Sequence, residues 1–326
     1  MPRKWLAVVS GSTVLALAVG IGLGSDNQHL LTIAIQTMLL AALASSWNIL
    51  GGFAGQISLG HAVFFGLGAL TTRELWLGGL PLAVSVLAAL LVTAVFAAVV
   101  GVPMLRFRDI YFTIGTLALG VAIFLTVANV RPRLTSLTAE ALRAYDFSGP
   151  YFMTLGVLVV TVAVATWLKN SKVGLGMMAV RDDEEAAGST GINPLSHKMA
   201  AFVVSAVLAA MAGASYAYFT ASYYPSFPFS VVWTFEAILV AFVGGMGTIT
   251  GPLIGSVFFV VGRDALPSSI EEFQVVVFGL LFILVVLLLP GGLLEGAQRL
   301  IRRGSKQDTR STSNEGTTNS KGKELV

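Results

Sequence analysis

Apolar residues run in nine stretches along this chain, at 5–23, 30–50, 57–72, 80–105, 110–130, 150–168, 199–221, 231–262 and 273–294. Most reach the about 20 residues that an α-helix needs to cross about 30 Å of hydrocarbon. A bilayer offers no water to backbone amides and carbonyls, so a helix, which satisfies its own, is the form these stretches are expected to take. The stretch at 231–262 is 32 residues long and is broken at Gly244, Gly245 and Gly247 and again at Gly251-Pro252. Two short spans there bring the count to ten, whereas a single span plus a re-entrant piece lowers it. The expected fold is therefore an all-α polytopic membrane protein of about ten (eight to ten) transmembrane helices, with short broken helices near 244–252.

Composition agrees with a lipid solvent. Charged residues make up 11% of the 326 residues and hydrophobic ones 55%. A soluble domain carries about 25% charged residues, so this chain has too little polar surface to cover a core in water. There is no cysteine, which removes disulfide scaffolds, thiolate nucleophiles and Cys-ligated zinc or iron–sulfur sites together.

Ten crossings put both termini on one side. The loops on that side hold Arg3, Lys4, Arg106, Arg108, Lys169, Lys172, Arg181, Lys198 and seven basic residues from Arg299 to Lys323, fifteen in all. The other side holds five: Arg73, Arg131, Arg133, Arg143 and Arg263. Positive charge gathers on the cytoplasmic side of membrane proteins, so both termini are expected in the cytoplasm. All five tryptophans (Trp5, Trp47, Trp76, Trp167, Trp233) fall at or near span ends, where amphipathic rings favour the interface.

The first stretch has the basic start and small-residue pair (Ala16, Ala18) of a signal peptide, but its 19 apolar residues are long for one. It is read as an uncleaved first span. Residues 304–326 carry no aromatic residue and have nothing to bury, so a disordered cytoplasmic tail is expected after a membrane domain at 1–303. The basic residues at 299–303 are assigned to topology and anionic lipid, not to nucleic acid.

Several chemistries lack their residues. No G-x-x-x-x-G-K-[ST] loop cradles a nucleotide, His29, His61 and His197 form no H-x-x-x-H pair, and no G-x-S-x-G elbow occurs. No two acids share an apolar span. Neither an enzyme, a bound metal nor a cofactor is indicated, and a transport or channel role leads.

Between the sixth and seventh spans lies the polar loop 169–198, with Arg181-Asp182-Asp183-Glu184-Glu185-Ala186-Ala187-Gly188 at its centre. Asp182 and Asp183 suit a helix start, where carboxylates take free N–H groups. Gly191 and Pro194 suit its end. A helix of about two to three turns follows, either solvated or seated in a shallow groove of a partner.

This loop resembles the EAA-type loop of ABC-importer permeases, in the form found in high-affinity branched-chain amino acid permeases of the LivM kind. Three other segments agree. Residues 46–69, SWNILGGFAGQISLGHAVFFGLGA, look like the family's long signature around His61. Residues 106–113, RFRDIYFT, are similar to its R-x-R-G-x-Y-F segment, with Asp109 where glycine is usual. Residues 243–255, VGGMGTITGPLIG, resemble its late glycine-rich motif. The resemblance covers about residues 30–295 and implies a prokaryotic inner-membrane subunit. Its implied partners are a second permease subunit, two ATP-binding subunits on the cytoplasmic face and an external substrate-binding protein. Residues 177–192 are then the coupling helix, with Arg181, Asp182, Glu184, Ala187 and Gly191 at the matching positions. The same family includes urea and short-amide permeases.

Within the membrane, Gly51 with Gly55, and Gly247, Gly251 and Gly255, recur at helical-turn spacing, which lets helix backbones approach closely. Gly244 and Gly245 mark the break, and broken helices often lie at transport sites. Residues 51–60 and 244–251 are faintly alike, as an internal repeat would be. Gln56, Ser58 and His61 are candidates for the translocation path, against a plain role in helix-to-helix hydrogen bonding. Glu236 is the one carboxylate well inside an expected span. It lies near the outer interface, pairs with another subunit, or meets a substrate ammonium group, because a bare charge in hydrocarbon is costly. Arg73 and Glu74 are expected to form an outer-edge pair. The alternative from another class is an ion-coupled secondary transporter or channel, whose expected sign is a cluster of intramembrane acids.

Overall fold

The computed structural model describes residues 27–107, 109–137, 146–265 and 279–280. The stretch at 5–23 and the tail at 304–326 lie outside the described residues, as does the stretch at 273–294 apart from 279–280.

Ten helices fill the described residues. They are α1 (Gln28–Asn48), α2 (Ala62–Leu77), α3 (Leu82–Met104), α4 (Ile110–Val130), α5 (Ser148–Lys169), α6 (Lys172–Asp182), α7 (Glu184–Ser189), α8 (Pro194–Phe219), α9 (Val231–Gly244) and α10 (Gly251–Asp264). Five are long and apolar enough to cross a membrane: α1 with its continuation to Phe53, α3, α4, α5 and α8. Two of the five, α1 and α8, start on a side-chain cap. Asn27 Oδ1 accepts from the amides of His29 and Leu30, and Asn193 Oδ1 accepts from Ser196 at the start of α8, where Pro194 has no amide to leave unmet.

Burial sorts the helices into centre and rim. The apolar windows of α1 and α8 are each 67% buried, those of α3 and α4 only 22% and 17%. On α3 the rule for soluble helices is inverted. Ser85, Ala89, Thr93, Ala97 and Gly101, four residues apart, face inward, while Leu87, Leu91, Val95 and Val99 are exposed. Lipid solvates leucine as well as a core does, so close packing of small residues decides which face turns in. The same logic brings α2 and α8 together: a Cβ at Gly68 would strike the Ala210 carbonyl, and one at Gly213 the Phe65 carbonyl.

Two interruptions shape the centre. After Asn48, α1 widens into a π-turn, Ile49–Phe53, and ends. The chain then runs without helix to His61, so the stretch expected at 57–72 becomes helical only at Ala62. Partners meet the freed backbone groups. Trp47 Nε1 donates to Ser58 O at 2.9 Å, Thr113 Oγ1 to Ile57 O at 2.8 Å, and Thr116 Oγ1 accepts from Leu59 N at 3.1 Å. Irregular backbone at this depth is tolerable because protein surrounds it.

The second interruption falls where the glycines are. α9 and α10 are 14 residues each, about 21 Å at 1.5 Å per residue, and fold back on one another as a hairpin. Close approach explains the glycines: Gly244 lies on Gly251, and Gly255 on the Val240 carbonyl. The hairpin lies along α1. Asp264 is 3.5 Å from His29 and Arg263 Nη2 donates to Gln36 at 2.8 Å, whereas the tip at Gly247 reaches Asn48.

At the hairpin's open end, β1 (Thr135–Ser136) pairs antiparallel with β2 (Ser222–Tyr223), joining the connections α4–α5 and α8–α9. Here an expectation is corrected. Arg73 does not pair with its neighbour Glu74. It is buried and donates to Ala217 O at 2.9 Å and Ala221 O at 2.6 Å, with its guanidinium 5.3 Å from the Tyr223 ring centre. Glu74 lies 3.5 Å from Arg131 instead. Adjacent helical residues point about 100° apart, so side chains in sequence do not face each other.

Candidate functional site

The loop at 169–198 folds as two short helices, not one helix across 177–192. Asp183 is the cause. It is extended (φ −160°, ψ 112°), and its Oδ1 accepts from the amides of Glu185 and Ala186 at 3.0 and 2.9 Å. A side chain that caps a new helix ends the old one. Asp182 makes no cap; it binds Arg181 Nε and Nη2 at 2.9 and 2.8 Å. α7 has only six residues, shorter than the expected two to three turns. Glu184 is held to α8 by Lys198 Nζ at 2.6 Å, and Ala187 is buried beneath the turn. Gly191, with φ +87°, closes the segment in a conformation that glycine adopts without a Cβ penalty.

Arg181 links this loop to both interruptions. Its Nη1 donates to Gly52 O at 2.8 Å, and its methylenes lie where a Cβ at Gly55 would sit. Gly55 has φ +71° and lies beyond the helix, so Gly51 and Gly55 do not form a helical stripe. Across from Arg181, Asn48 grips the hairpin tip with both amide atoms: Oδ1 accepts from Gly247 N and Nδ2 donates to Thr248 O, each at 2.8 Å. Lys169 Nζ adds a bond to Gly247 O at 3.0 Å. Gly247 itself (φ +76°) belongs to the tip, and only Gly251 and Gly255 of its series lie in a helix. The two glycine-rich segments thus touch each other beside the α6–α7 loop.

Toward the hairpin's open end, a cavity of about 400 Å³ lies between α1, α8, α9 and α10. Leu39, Leu40, Tyr216, Trp233 and Val260 give it apolar walls, and Gln36, Glu236 and Arg263 supply polar groups. The Glu236 carboxylate is 3.7 Å from Arg263 Nη1. Asn48 is eight residues beyond Leu40 on α1, about 12 Å along the helix axis.

Of the residues proposed for a path, only Glu236 lines this cavity. His61 is fully buried at the start of α2, with Nε2 3.1 Å from Ser46 Oγ. Ser46 spends its one proton on Leu43 O at 2.7 Å, so the pattern assigns the proton of the shared bond to His61 Nε2. Ser58 and Gln56 are buried in the irregular segment. Sequence reasoning passed over Asn48, Gln36, Lys169 and Arg263 as parts of a site. Asn48 and Gln36 had a signal, being amides inside an apolar stretch. Lys169 and Arg263 carry no such signal, since in sequence they are loop charges at span ends.

No group of three or more metal-ligating residues occurs among the described residues. What the arrangement can do is move a solute: two membrane-length helices and the two arms of a jointed hairpin line a partly charged cavity, and the hairpin's tip meets the polar loop. That is the construction of a multi-pass membrane transport protein. The chain belongs to the family described as branched-chain amino acid transport system / permease component, which matches residues 29–286. Among its relatives is the high-affinity branched-chain amino acid transport system permease protein LivM of Salmonella typhimurium, 28% identical over 340 residues, covering 90% of this chain and 78% of the relative. LivM of Escherichia coli K12 is 28% identical with the same coverage. The permease protein LivH of Salmonella typhimurium is 32% identical over 135 residues, 41% of this chain and 43% of its own length. No solved structure matches the chain.

Proposed function

We propose that this chain imports branched-chain amino acids as one permease subunit of an ATP-driven transporter, and that the α6–α7 loop is where ATP-binding subunits engage it. The observation that carries this reading is the bond from Arg181 to Gly52, which ties the loop to the interruption of α1 and, through Asn48, to the hairpin tip. A push on α6 has a short mechanical route to the hairpin whose arms line the cavity. The exposed acids Asp182, Asp183 and Glu185 give the loop a face for a basic groove. In this reading the loop and both termini are cytoplasmic, ten spans cross the inner membrane of a prokaryote, and residues 304–326 form a tail outside the membrane domain. A second permease of the LivH kind completes the pore, and an external binding protein delivers the substrate.

The test is co-expression of the whole transporter with a Gly191→Pro, Arg181→Glu double variant of this chain. Proline at a position with φ +87° cannot keep the turn, and the glutamate removes the donor to Gly52. Loss of both leucine uptake and ATP-binding-subunit co-purification, in a variant that still reaches the membrane, supports the reading. Undiminished uptake overturns it.

A further inference from the structure

We infer that the cavity between α1, α8, α9 and α10 is a binding stop for a zwitterionic α-amino acid with an apolar side chain. Glu236 takes the ammonium group, Arg263 and Gln36 the carboxylate. The inference rests on the import reading above and adds a place inside the permease where the solute itself is recognised.

Glu236 and Arg263 face one another at 3.7 Å, beyond the range of a hydrogen bond, so their attraction leaves most of their hydrogen-bonding capacity unused. The one hydrogen bond from Arg263 among the described residues goes to Gln36 Oε1. That bond turns Gln36 into an extension of the guanidinium: its oxygen is occupied, and its amide N–H groups remain as donors beside those of Arg263. A carboxylate finds donors on one side of the cavity and an ammonium finds an acceptor on the other.

Electrostatics then selects the ligand class. Glu236 and Arg263 are partly buried, with side chains 21% and 30% exposed, and a charge shielded from water in this way gains from keeping a partner. A zwitterion entering between Glu236 and Arg263 exchanges one ion pair for two and leaves the net charge unchanged. A carboxylate without an ammonium group adds an uncompensated charge, and an amine without a carboxylate does the same with opposite sign. Urea carries no charge with which to part the pair. The apolar part of the ligand meets Leu39, Leu40 and Val260, and a volume of about 400 Å³ lies within the usual range for small-molecule sites.

Position agrees with a stop on a route. Gln36 precedes Asn48 by twelve residues on α1, about 18 Å, so the charged end of the cavity lies well away from the hairpin tip and the α6–α7 loop. A solute held by Glu236 and Arg263 waits on one side of the Asn48 clasp. Because Arg263 and Glu236 sit on opposite arms of the hairpin, binding between them also senses how the arms are set.

The experiment is equilibrium binding of labelled leucine to the purified transporter membrane complex without its external binding protein. Competitors are unlabelled leucine, 4-methylpentanoate, 3-methylbutylamine and urea. The inference expects both singly charged analogues to compete at least tenfold more weakly than leucine, and urea not at all. Glu236→Gln and Arg263→Gln should each weaken leucine binding tenfold or more, with Glu236→Asp in between. Co-purification of the ATP-binding subunit serves as the check that each variant has folded. Equal competition by the three charged probes, absence of leucine binding to the wild-type complex, or unchanged affinity in both folded single variants overturns the site. Should variants fail to assemble, the analogue series on the wild-type complex decides alone. A complex that binds leucine with this charge dependence but takes it up without ATP keeps the site and rejects the ATP-driven reading.

Discussion

Asn48 and Gly247, 199 residues apart, are joined by a hydrogen bond of 2.8 Å from the Gly247 amide to Asn48 Oδ1. The same side chain donates to Thr248 O, so one amide group satisfies the exposed backbone of the hairpin tip on both its donor and acceptor sides. Replacing Asn48 by leucine leaves both half-buried groups without this partner. The expected cost is about 1–3 kcal/mol for each group left unmet, read as a lower thermal midpoint of the detergent-purified complex. Asn48→Asp keeps the acceptor and should fall between the two.

Asp109, at the start of α4, has its backbone at φ 47°, ψ −114°. An L-residue with a Cβ is strained there, at a cost of order 1–3 kcal/mol. Asp109→Gly is therefore expected to stabilise the chain by about 1 kcal/mol, after the loss that glycine's extra freedom in the unfolded state brings. A lower midpoint for Asp109→Gly in the same melting assay would contradict this.

His61 lies at the centre of the most recognisable motif, yet its ring bonds to a serine in α1 and it is absent from the cavity wall. A packing role predicts that Ser46→Ala, which leaves His61 Nε2 without its acceptor, costs about 1–3 kcal/mol of stability. The KM for leucine should stay within twofold of wild type. A KM rise without a stability loss would return His61 to the solute path.

The cysteine-free sequence makes orientation directly measurable. Single cysteines at Arg133, Glu185 and Ser311 test three sides of the account. A membrane-impermeant maleimide added to intact spheroplasts should label the first and spare the other two until the membrane is opened. Labelling of Glu185→Cys from outside would reverse the assignment.

Much of this architecture was readable in one dimension, and the unread part has a common cause. Hydropathy located the long helices, and the glycines at 244–251 announced a break, because an apolar run of 32 residues cannot be one crossing. Residues 57–61 run on into the apolar helix that follows them, with no proline or charge to mark a boundary. Their irregular backbone depends on Trp47, Thr113 and Thr116, which come from elsewhere in the chain. Asp182 and Asp183 are equivalent by composition; only the capping geometry separates a partner of Arg181 from a helix start. Arg263 looked like a loop cation at the end of a span, and its meeting with Glu236 exists only once α9 and α10 fold back. Glu236 itself was legible, since a lone acid in an apolar stretch demands a partner.

The central claim is that ATP, used by partner subunits and passed on through Arg181, drives the uptake of a branched-chain amino acid. Leucine uptake into proteoliposomes containing the whole transporter, with the loaded binding protein outside and nucleotide inside, tests it most directly. The account predicts accumulation with ATP and none with a non-hydrolysable analogue, insensitivity to a proton ionophore, and at least a tenfold loss on Arg181→Glu. Uptake that persists without ATP and collapses with the ionophore would contradict it and point to ion coupling instead.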